Sequence, residues 1–267
     1  MKTRFLEIAA SPSKTKAQEH CVRLIREKFP GDRGLEGCSE RLWVANDLLL
    51  SDDALSDISP LADLPNLFRL RLSCSSTSPV DLRPVSTLTN LRALEIAGAP
   101  LTDLSPLNDL HHLEGLSLNE NELEDFSSLK QLDKLAALHI YNNQPKDLSS
   151  MGPFPNLLEL KIYQGKLKSF NALPAAPSLM QLEVTANRIR DFNGSDKYPK
   201  LREISLRQNR ISNFDGLSEE LKDLTLLDVG NNYIVDDAPL AKLKSLKTVR
   251  LDDNPITVDQ RANHARG

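Results

Sequence analysis

The sequence predicts an α/β solenoid with a curved parallel β-sheet on the concave face, short helical or 3-10 turns on the convex face, and an N-terminal helical cap. Three observations lead to this prediction. About ten copies of one pattern follow each other, mostly with a period of 22 residues; each copy contains a short apolar alternation; and residues 1–44 do not follow the pattern. A fixed period of this length indicates one supersecondary unit stacked upon itself.

Residues 1–44 are predicted to cap the first repeat. Thr15 and Gln18 have the spacing of a capping box at the start of a helix, and Pro30-Gly31 would end that helix. Between them the apolar side chains recur on one helical face: Ala17, Cys21, Leu24, Ile25 and Phe29. Because a repeat array must hide its open end, we expect this face to cover the first repeat, and recruitment of a partner by the helix is the alternative.

The repeats are predicted to occupy residues 45–256, and a polar tail, residues 257–267, follows them. The second repeat has 24 residues, the eighth has 23, and the last is incomplete. The repeats begin at these positions: Ala45, Leu67, Leu91, Leu113, Leu135, Leu157, Leu179, Leu201, Leu224 and Leu246.

The first half of each repeat is predicted to be a strand. Leu138 and Ile140 alternate with Ala137, His139 and Tyr141, and this period of two buries one face of a strand. An asparagine that can bond the buried backbone of adjacent turns follows most strands. These residues are Asn121, Asn143, Asn187, Asn209, Asn232 and Asn254.

Ala99 and Gly165 stand in the place of this asparagine in the third and sixth repeats, and Asp53 takes its place in the first. We expect weaker or water-filled bonding at the turns of Ala99 and Gly165.

The second half of each repeat is predicted to be a single helical turn. Residues 103–107, Asp-Leu-Ser-Pro-Leu, are typical, because a short polar residue before proline suits the first turn of a helix. Phenylalanine takes the place of Leu104 in later repeats and predicts a stack of aromatic rings. Its members are Phe126, Phe170, Phe192 and Phe214. Since a helical turn is wider than the spacing of strands, the stack should curve with the strands on the inside.

This pattern resembles the leucine-rich-repeat superfamily, in the 22-residue form of bacterial internalins and the related phosphatase-regulating nuclear subunits. Residues 58–66, Ile-Ser-Pro-Leu-x-x-Leu-x-Asn, and 104–110, Leu-Ser-Pro-Leu-x-x-Leu, are especially similar to internalin repeats. The resemblance covers about residues 45–256. The resemblance implies the fold but no particular function, which we infer from the side chains that face outward.

Charge and hydrophobicity argue against several classes of partner and location. The net charge of −4 disfavours nucleic acid and an anionic membrane as main partners. No run approaches the roughly 18 apolar residues that a membrane span needs. Arg4 and Glu7 interrupt any signal peptide. We therefore predict a cytoplasmic protein, with a non-cleaved export route that uses residues 1–14 as the alternative.

No catalytic motif stands out in the sequence. His-Glu-x-x-His, Gly-x-Ser-x-Gly and the phosphate-binding Gly-x-x-x-x-Gly-Lys-Ser/Thr are all missing. We predict no enzymatic activity, no metal and no other cofactor. Cys21, Cys38 and Cys74 are irregularly spaced and are predicted to be free thiols.

The predicted binding surface lies on the concave face between the fifth and ninth repeats. Tyr141 and Tyr163 occupy the same position of adjacent strands and present a rigid aromatic surface of the kind enriched at interface hot spots. The other predicted contact residues are His139, Asn142, Lys161, Gln164, Glu183, Arg207, Asp228, Tyr233 and Arg250. The alternative is that the two tyrosines only pack on each other across the sheet.

These observations predict a non-catalytic module that binds a folded protein as a scaffold, adaptor or regulator. One alternative is a dedicated inhibitor, such as an immunity protein that occludes a toxin or enzyme. A third is a secreted bacterial effector that acts on a host protein. We expect a monomer, with an end-to-end dimer through the incomplete last repeat as the alternative.

Overall fold

The computed structural model describes residues 3–30, 34–75 and 77–256. The chain forms two compact units, one of residues 1–123 with 128–132 and one of residues 124–127 with 133–267. We call them unit 1 and unit 2. The predicted tail, residues 257–267, lies outside the described residues, and the division of the chain into cap, repeats and tail stays a prediction.

Unit 1 begins with three helices, α1 (Arg4–Ala10), α2 (Lys16–Lys28) and α3 (Gly34–Val44). The predicted capping box at the start of α2 is confirmed, because Thr15 and Gln18 exchange both of its hydrogen bonds. The sequence did not predict α1 or α3.

The helices contact the first repeat of unit 1. Both α1 and α2 pack against the 3-10 turn Ser59–Leu61. From α2, Gln18 Nε2 donates to Ser59 Oγ at 3.2 Å, and His20 Nε2 lies 2.8 Å from Asp52 Oδ1. Three residues of the predicted apolar face, Cys21, Leu24 and Ile25, are buried. The helices therefore cover this repeat, as a cap would.

Four strands form the sheet of unit 1: β1 (Asp47–Ser51), β2 (Arg69–Ser73), β3 (Ala93–Ala97) and β4 (Gly115–Asn119). They pair in parallel and in chain order, with equivalent residues of successive repeats side by side. Short helical turns return the chain: Ser59–Leu61, Arg83–Ser86 and Ser105–Asp109.

Unit 2 holds six strands: β5 (Ala137–Tyr141), β6 (Glu159–Tyr163), β7 (Gln181–Thr185), β8 (Glu203–Ser205), β9 (Leu226–Asp228) and β10 (Thr248–Arg250). They are also parallel and paired in chain order. Its 3-10 turns are Phe170–Ala172, Ser195–Lys197 and Ala238–Lys242. The predicted fold of parallel strands, short helical turns and N-terminal helices is confirmed.

Two columns of identical side chains build the interior of unit 2. The Phe192 ring centroid lies 5.7 Å from both the Phe170 and the Phe214 centroid, which confirms the predicted aromatic stack for these three rings. Leu148 takes the equivalent position in the repeat between Phe126 and Phe170. Asn209 Oδ1 accepts from the backbone of Ile189 at 2.9 Å, and Asn209 Nδ2 donates to the carbonyl of Val184 at 2.6 Å. Asn209 therefore joins neighbouring turns.

Gly165 leaves room for the next asparagine of this column. A Cβ at residue 165 would lie 2.5 Å from Asn187 Oδ1. Asn187 accepts from Leu167 N at 3.3 Å and donates to Ile162 O at 3.2 Å. Both bonds are longer than the corresponding bonds of Asn209.

A residue in the left-handed backbone region follows most strands and turns the chain. Its φ lies between +52° and +70° in these repeats. The residues are Gly98, Glu120, Asn142, Gln164, Ala186, Gln208, Asn231 and Asp253. Only one of them is glycine, so the conformation is imposed by the turn rather than by the residue type.

Candidate protein-interaction surface

The outward side chains of β5–β10, together with Arg207 and Asp252 just after β8 and β10, form what we call the strand surface. They lie opposite the inward-facing aliphatic side chains of the same strands. In β5 and β6 the parallel register places Tyr141 beside Tyr163 and His139 beside Lys161. The two tyrosine rings meet edge to face, with centroids 4.9 Å apart and an interplanar angle of 78°. The His139 ring stacks on Tyr141 at 5.7 Å. The structure therefore brings together four of the predicted contact residues.

Glu159 organises the charges beside these rings. Its Oε1 lies 2.5 Å from His139 Nε2 and 3.0 Å from Lys161 Nζ. Burial alone would raise the pKa of Glu159, but the hydrogen bonds and positive charge of His139 and Lys161 outweigh it and lower the pKa below its usual range. The sequence prediction omitted Glu159, although the alternation that identified His139 places Glu159 outward as well.

The two tyrosine hydroxyls differ in their partners. Tyr163 donates a hydrogen bond to Glu183 Oε1. The Tyr141 hydroxyl has no hydrogen-bond partner among the described residues. Burial raises the pKa of both phenols, and Glu183 raises that of Tyr163 further, so both stay protonated at neutral pH. Tyr141 therefore presents an unused donor at the surface.

A second cluster occupies β8 to β10 and the residues just after them. Arg207 Nη1 lies 3.1 Å from Asp228 Oδ1, and Arg207 Nη2 lies 2.5 Å from Asp252 Oδ2. Arg250 Nη1 lies 3.5 Å from Asp228 Oδ2, and the Asp228 side chain is only 5% exposed. Hydrogen bonding with Asp252, followed by the charge of Asp228, raises the pKa of Arg207. The sequence prediction omitted Asp252, which completes this cluster.

Gly230 makes space for the Arg207 guanidinium, because a Cβ at residue 230 would collide with Arg207 Nη1. The two arginines and two aspartates neutralise one another. This part of the strand surface therefore offers fewer unpaired charges than its composition suggests.

The remaining predicted residues lie outside the strands. Asn142 and Gln164 are the exposed left-handed residues that follow β5 and β6. Tyr233 follows β9, in the loop beyond the buried Asn232, and is 61% exposed. The structure thus divides the predicted set into the residues around the tyrosine pair, the Arg207 cluster and three loop residues.

The described part of the chain contains no group of three or more His, Cys, Asp or Glu side chains placed to hold a metal ion. No helix within it combines the length and apolar character that crossing a membrane requires. The three buried cysteines, Cys21, Cys38 and Cys74, form no disulfide within the described residues, and burial raises the pKa of Cys21 to about 12.

Comparison with known proteins identifies the repeats. The model of a family described as leucine-rich repeats in two copies matches residues 199–242. No curated protein matches the chain significantly in sequence. Among solved structures, internalin C2 of Listeria monocytogenes is 22% identical, with a TM-score of 0.58, over 93% of this chain and 96% of the internalin chain.

Two receptors with bound ligands are similar as well. TLR13, solved in complex with ssRNA13, is 25% identical with a TM-score of 0.62, over 77% of this chain and 32% of the receptor chain. The plant peptide hormone receptor RGFR1, solved in complex with RGF2, is 17% identical with a TM-score of 0.55, over 82% of this chain and 42% of the receptor chain. At these identities, the similarity to the internalin and to the plant receptor shows the fold alone.

Proposed function

We propose that this chain, which has the fold of leucine-rich repeats, is a non-catalytic module that binds a folded protein on the strand surface of unit 2. The contact centres on Tyr141 and Tyr163. We call these two residues, together with His139, Glu159, Lys161 and Glu183, the tyrosine cluster. The Arg207 cluster and the loop residues Asn142, Gln164 and Tyr233 form the periphery of the contact.

The observation that carries the proposal is the edge-to-face tyrosine pair with one unused hydroxyl. The two rings hold each other at 4.9 Å, so a partner would meet an aromatic surface that is already ordered. Aromatic residues of this kind dominate interface hot spots because they bury a large area at a low entropic cost. Packing between the rings explains their geometry but leaves the Tyr141 hydroxyl without a partner among the described residues.

The charges around the pair favour a protein over a nucleic acid. The strand surface of unit 2 carries five carboxylates, on Glu159, Glu183, Glu203, Asp228 and Asp252. Three permanent cations, Lys161, Arg207 and Arg250, stand against these five carboxylates, so an excess of negative charge remains. This excess would repel a phosphate backbone, whose binding depends on cationic side chains. The similar structures do not decide between the classes of partner, because TLR13 was solved with ssRNA13 and RGFR1 with RGF2. A mixed polar frame around an aromatic centre is typical of protein interfaces.

The test is quantitative affinity capture from cells of the source organism with three versions of the full chain. The wild type is compared with Tyr141→Ala/Tyr163→Ala and with a matched pair of changes on the same surface, Gln181→Ala/Glu203→Ala. Gln181 and Glu203 are exposed and bond only each other through their side chains, at 3.3 Å. The recovered protein is then purified and titrated against each version by calorimetry.

We expect the tyrosine double variant to lose its partner and to bind the purified protein at least about tenfold more weakly, because hot-spot aromatics contribute roughly 2 kcal/mol or more each. The matched variant should bind as the wild type does. Recovery of the same partners with equal affinity by the tyrosine double variant would show that the contact lies elsewhere.

A further inference from the structure

Basic side chains line the loops that follow β6 to β8 in unit 2. Each loop contains a three-residue segment whose middle residue is buried and whose flanking residues face outward. The segments are 166–168, Lys-Leu-Lys; 188–190, Arg-Ile-Arg; and 210–212, Arg-Ile-Ser. Their middle residues are almost completely buried, at 1% exposure or less. The period of two that buries each middle residue turns the basic residues outward.

Backbone hydrogen bonds place these segments side by side. Arg188 N donates to Leu167 O at 2.9 Å, Arg190 N donates to Lys168 O at 3.2 Å, and Arg210 N donates to Ile189 O at 2.8 Å. Segments bonded in this way lie about 4.8 Å apart. Five cations therefore lie on one small surface, which we call the basic patch: Lys166, Lys168, Arg188, Arg190 and Arg210.

Little within the protein neutralises the basic patch. Lys166 Nζ lies 3.6 Å from Glu124 Oε1, a carboxylate that also pairs with Lys146 at 2.9 Å. The other four cations form no ion pair and no side-chain hydrogen bond in the described part of the chain. By contrast, Arg207 and Arg250 of the strand surface are both paired with aspartates. The patch is thus a local excess of positive charge on a chain whose net charge is −4.

An apolar surface adjoins the patch. The next segment, residues 233–235, Tyr-Ile-Val, is held beside the third by a hydrogen bond from Tyr233 N to Ile211 O at 2.8 Å. Tyr233 is 61% exposed and Val235 is 50% exposed, while Ile234 between them is buried. A ligand that crosses the loops from Lys166 toward Tyr233 would meet positive charge first and apolar surface second.

We infer that the basic patch binds an acidic segment of a protein, an extended stretch of Asp and Glu residues with an apolar residue at the end that reaches Tyr233 and Val235. Arginine forks hold carboxylates with two parallel hydrogen bonds, which fits a patch that is mostly arginine. This binding site contains no residue of the tyrosine cluster and shares only Tyr233 with the periphery of the contact proposed above. It supplies a second, charge-selective contact.

A carboxylate ligand fits this surface better than a nucleic acid does. The patch spans only three repeats, on the order of 10 Å, and would neutralise few phosphates. Among the residues that the structure describes, no aromatic side chain is interleaved with the cations of the patch for base stacking, because Tyr233 lies beyond them. An acidic peptide needs only a short run of charges to match it.

The test is fluorescence anisotropy with two labelled probes, a peptide of alternating Glu and Gly that ends in Leu and a single-stranded RNA of equal length. The full chain is measured as the wild type and as the patch variant, Arg188→Glu/Arg190→Glu. Its matched control is Lys134→Glu/Lys200→Glu, which changes the net charge equally at two exposed lysines without side-chain partners in the described residues. Thermal unfolding verifies that both variants fold.

We expect the acidic peptide to bind the wild type, the control and Tyr141→Ala/Tyr163→Ala with similar affinity. Reversal of Arg188 and Arg190 should weaken it by roughly tenfold or more, and added salt should weaken it in the wild type. The inference is overturned if the peptide does not bind, if the patch variant binds it as well as the control does, or if the RNA binds more tightly than the peptide. Because the tyrosine variant is tested separately, failure here leaves the proposed function standing.

Discussion

The same repeats form the interior of unit 2 and its strand surface. The interior has the same side chains in successive repeats, whereas the strand surface does not. Inside, Asn209 and Asn232 accept hydrogen bonds from Ile189 and Ile211 at 2.9 and 3.0 Å, so one contact is copied from turn to turn. Outside, one register column of β5 to β7 reads His139, Lys161, Glu183. Three successive strands thus place an imidazole, an ammonium group and a carboxylate at the same position.

This difference separates fold from function. A side chain that recurs in every copy is one that the stacking of copies requires, because each repeat buries its interior only against its neighbours. A position that varies is free of that requirement. We therefore expect substitutions in the interior columns to change stability, and substitutions on the strand surface or in the basic patch to change binding.

The largest expected effect is that of Phe192→Ala. Phe192 is fully buried between Phe170 and Phe214. Removal of a buried phenylalanine leaves a cavity and lowers the free energy of unfolding by about 3–5 kcal/mol. Urea unfolding followed by circular dichroism measures this loss. If Tyr141→Ala, on the half-buried strand surface, destabilises the protein as much, the distinction between a stabilising interior and a binding surface is wrong.

Asn209→Ala is expected to have the next largest effect. The change leaves the backbone N–H of Ile189 and the carbonyl of Val184 without the partners they have at 2.9 and 2.6 Å. Each unpaired buried group costs about 1–3 kcal/mol, so the loss of both partners should lower the free energy of unfolding by at least about 2 kcal/mol. The same urea measurement applies.

Asn156→Ala is the control for Asn209→Ala. Asn156 Nδ2 donates to the carbonyl of Asp133 at 2.8 Å, but this bond is exposed to solvent. Water replaces a lost exposed bond, and the free energy of unfolding should change by at most about 1 kcal/mol. Equal losses in the two variants would mean that the buried column is not what holds the repeats together.

Gly165→Ala is expected to have a moderate effect. The added Cβ would lie 2.5 Å from Asn187 Oδ1 and 3.3 Å from Pro145 Cγ, so the Asn187 amide would have to move. Overpacking of this kind destabilises a protein by about 1–3 kcal/mol. In the control, Gly115→Ala in β4, the Cβ meets nothing within 4 Å and should leave the melting temperature unchanged or slightly raised. A Gly165→Ala variant as stable as this control would show that the asparagine column tolerates displacement.

The repeat pattern sufficed to predict those elements whose side chains recur. Leucine alternation located the strands, and the equivalent positions of Asn209 and Phe192 identified the two interior columns. These predictions succeeded because stacking imposes the same physical demand on every copy. The capping box of Thr15 and Gln18 was predictable for a similar reason, since it depends on two residue types at a fixed spacing.

Features without a recurring residue type could not be predicted from the sequence. α1 has seven residues, and α3 contains two glycines, Gly34 and Gly37, so neither helix shows a clear apolar period. The left-handed residues after the strands range from Ala186 to Glu120, because the turn imposes their conformation. Local sequence carries no signal for such positions.

The candidate site was predictable as a set of outward positions but not as a set of contacts. Alternation placed Tyr141 and Tyr163 in one column, yet the bond between Glu159 and His139 depends on how far each side chain reaches across the register. The basic patch was missed because Lys166, Arg188 and Arg210 are far apart in sequence. They come together only when the loops of successive repeats lie side by side.

The smallest expected effect is that of Glu159→Gln on the pH dependence of stability. His139 and Lys161 lower the pKa of Glu159 below its ordinary value of 4.5, against the opposing effect of burial. A depressed folded-state pKa stabilises the fold above about pH 4.5, and this contribution is lost as the pH falls through the folded-state value. Because the site is partly exposed, Glu159→Gln should cost less than about 1 kcal/mol at neutral pH. Urea unfolding at a series of pH values should show a shallower acid decline for the variant than for the wild type. Parallel curves would mean that this ion pair adds nothing to the fold, and a decline as large as the loss in Asn209→Ala would mean that the strand surface supports the repeats as the interior does.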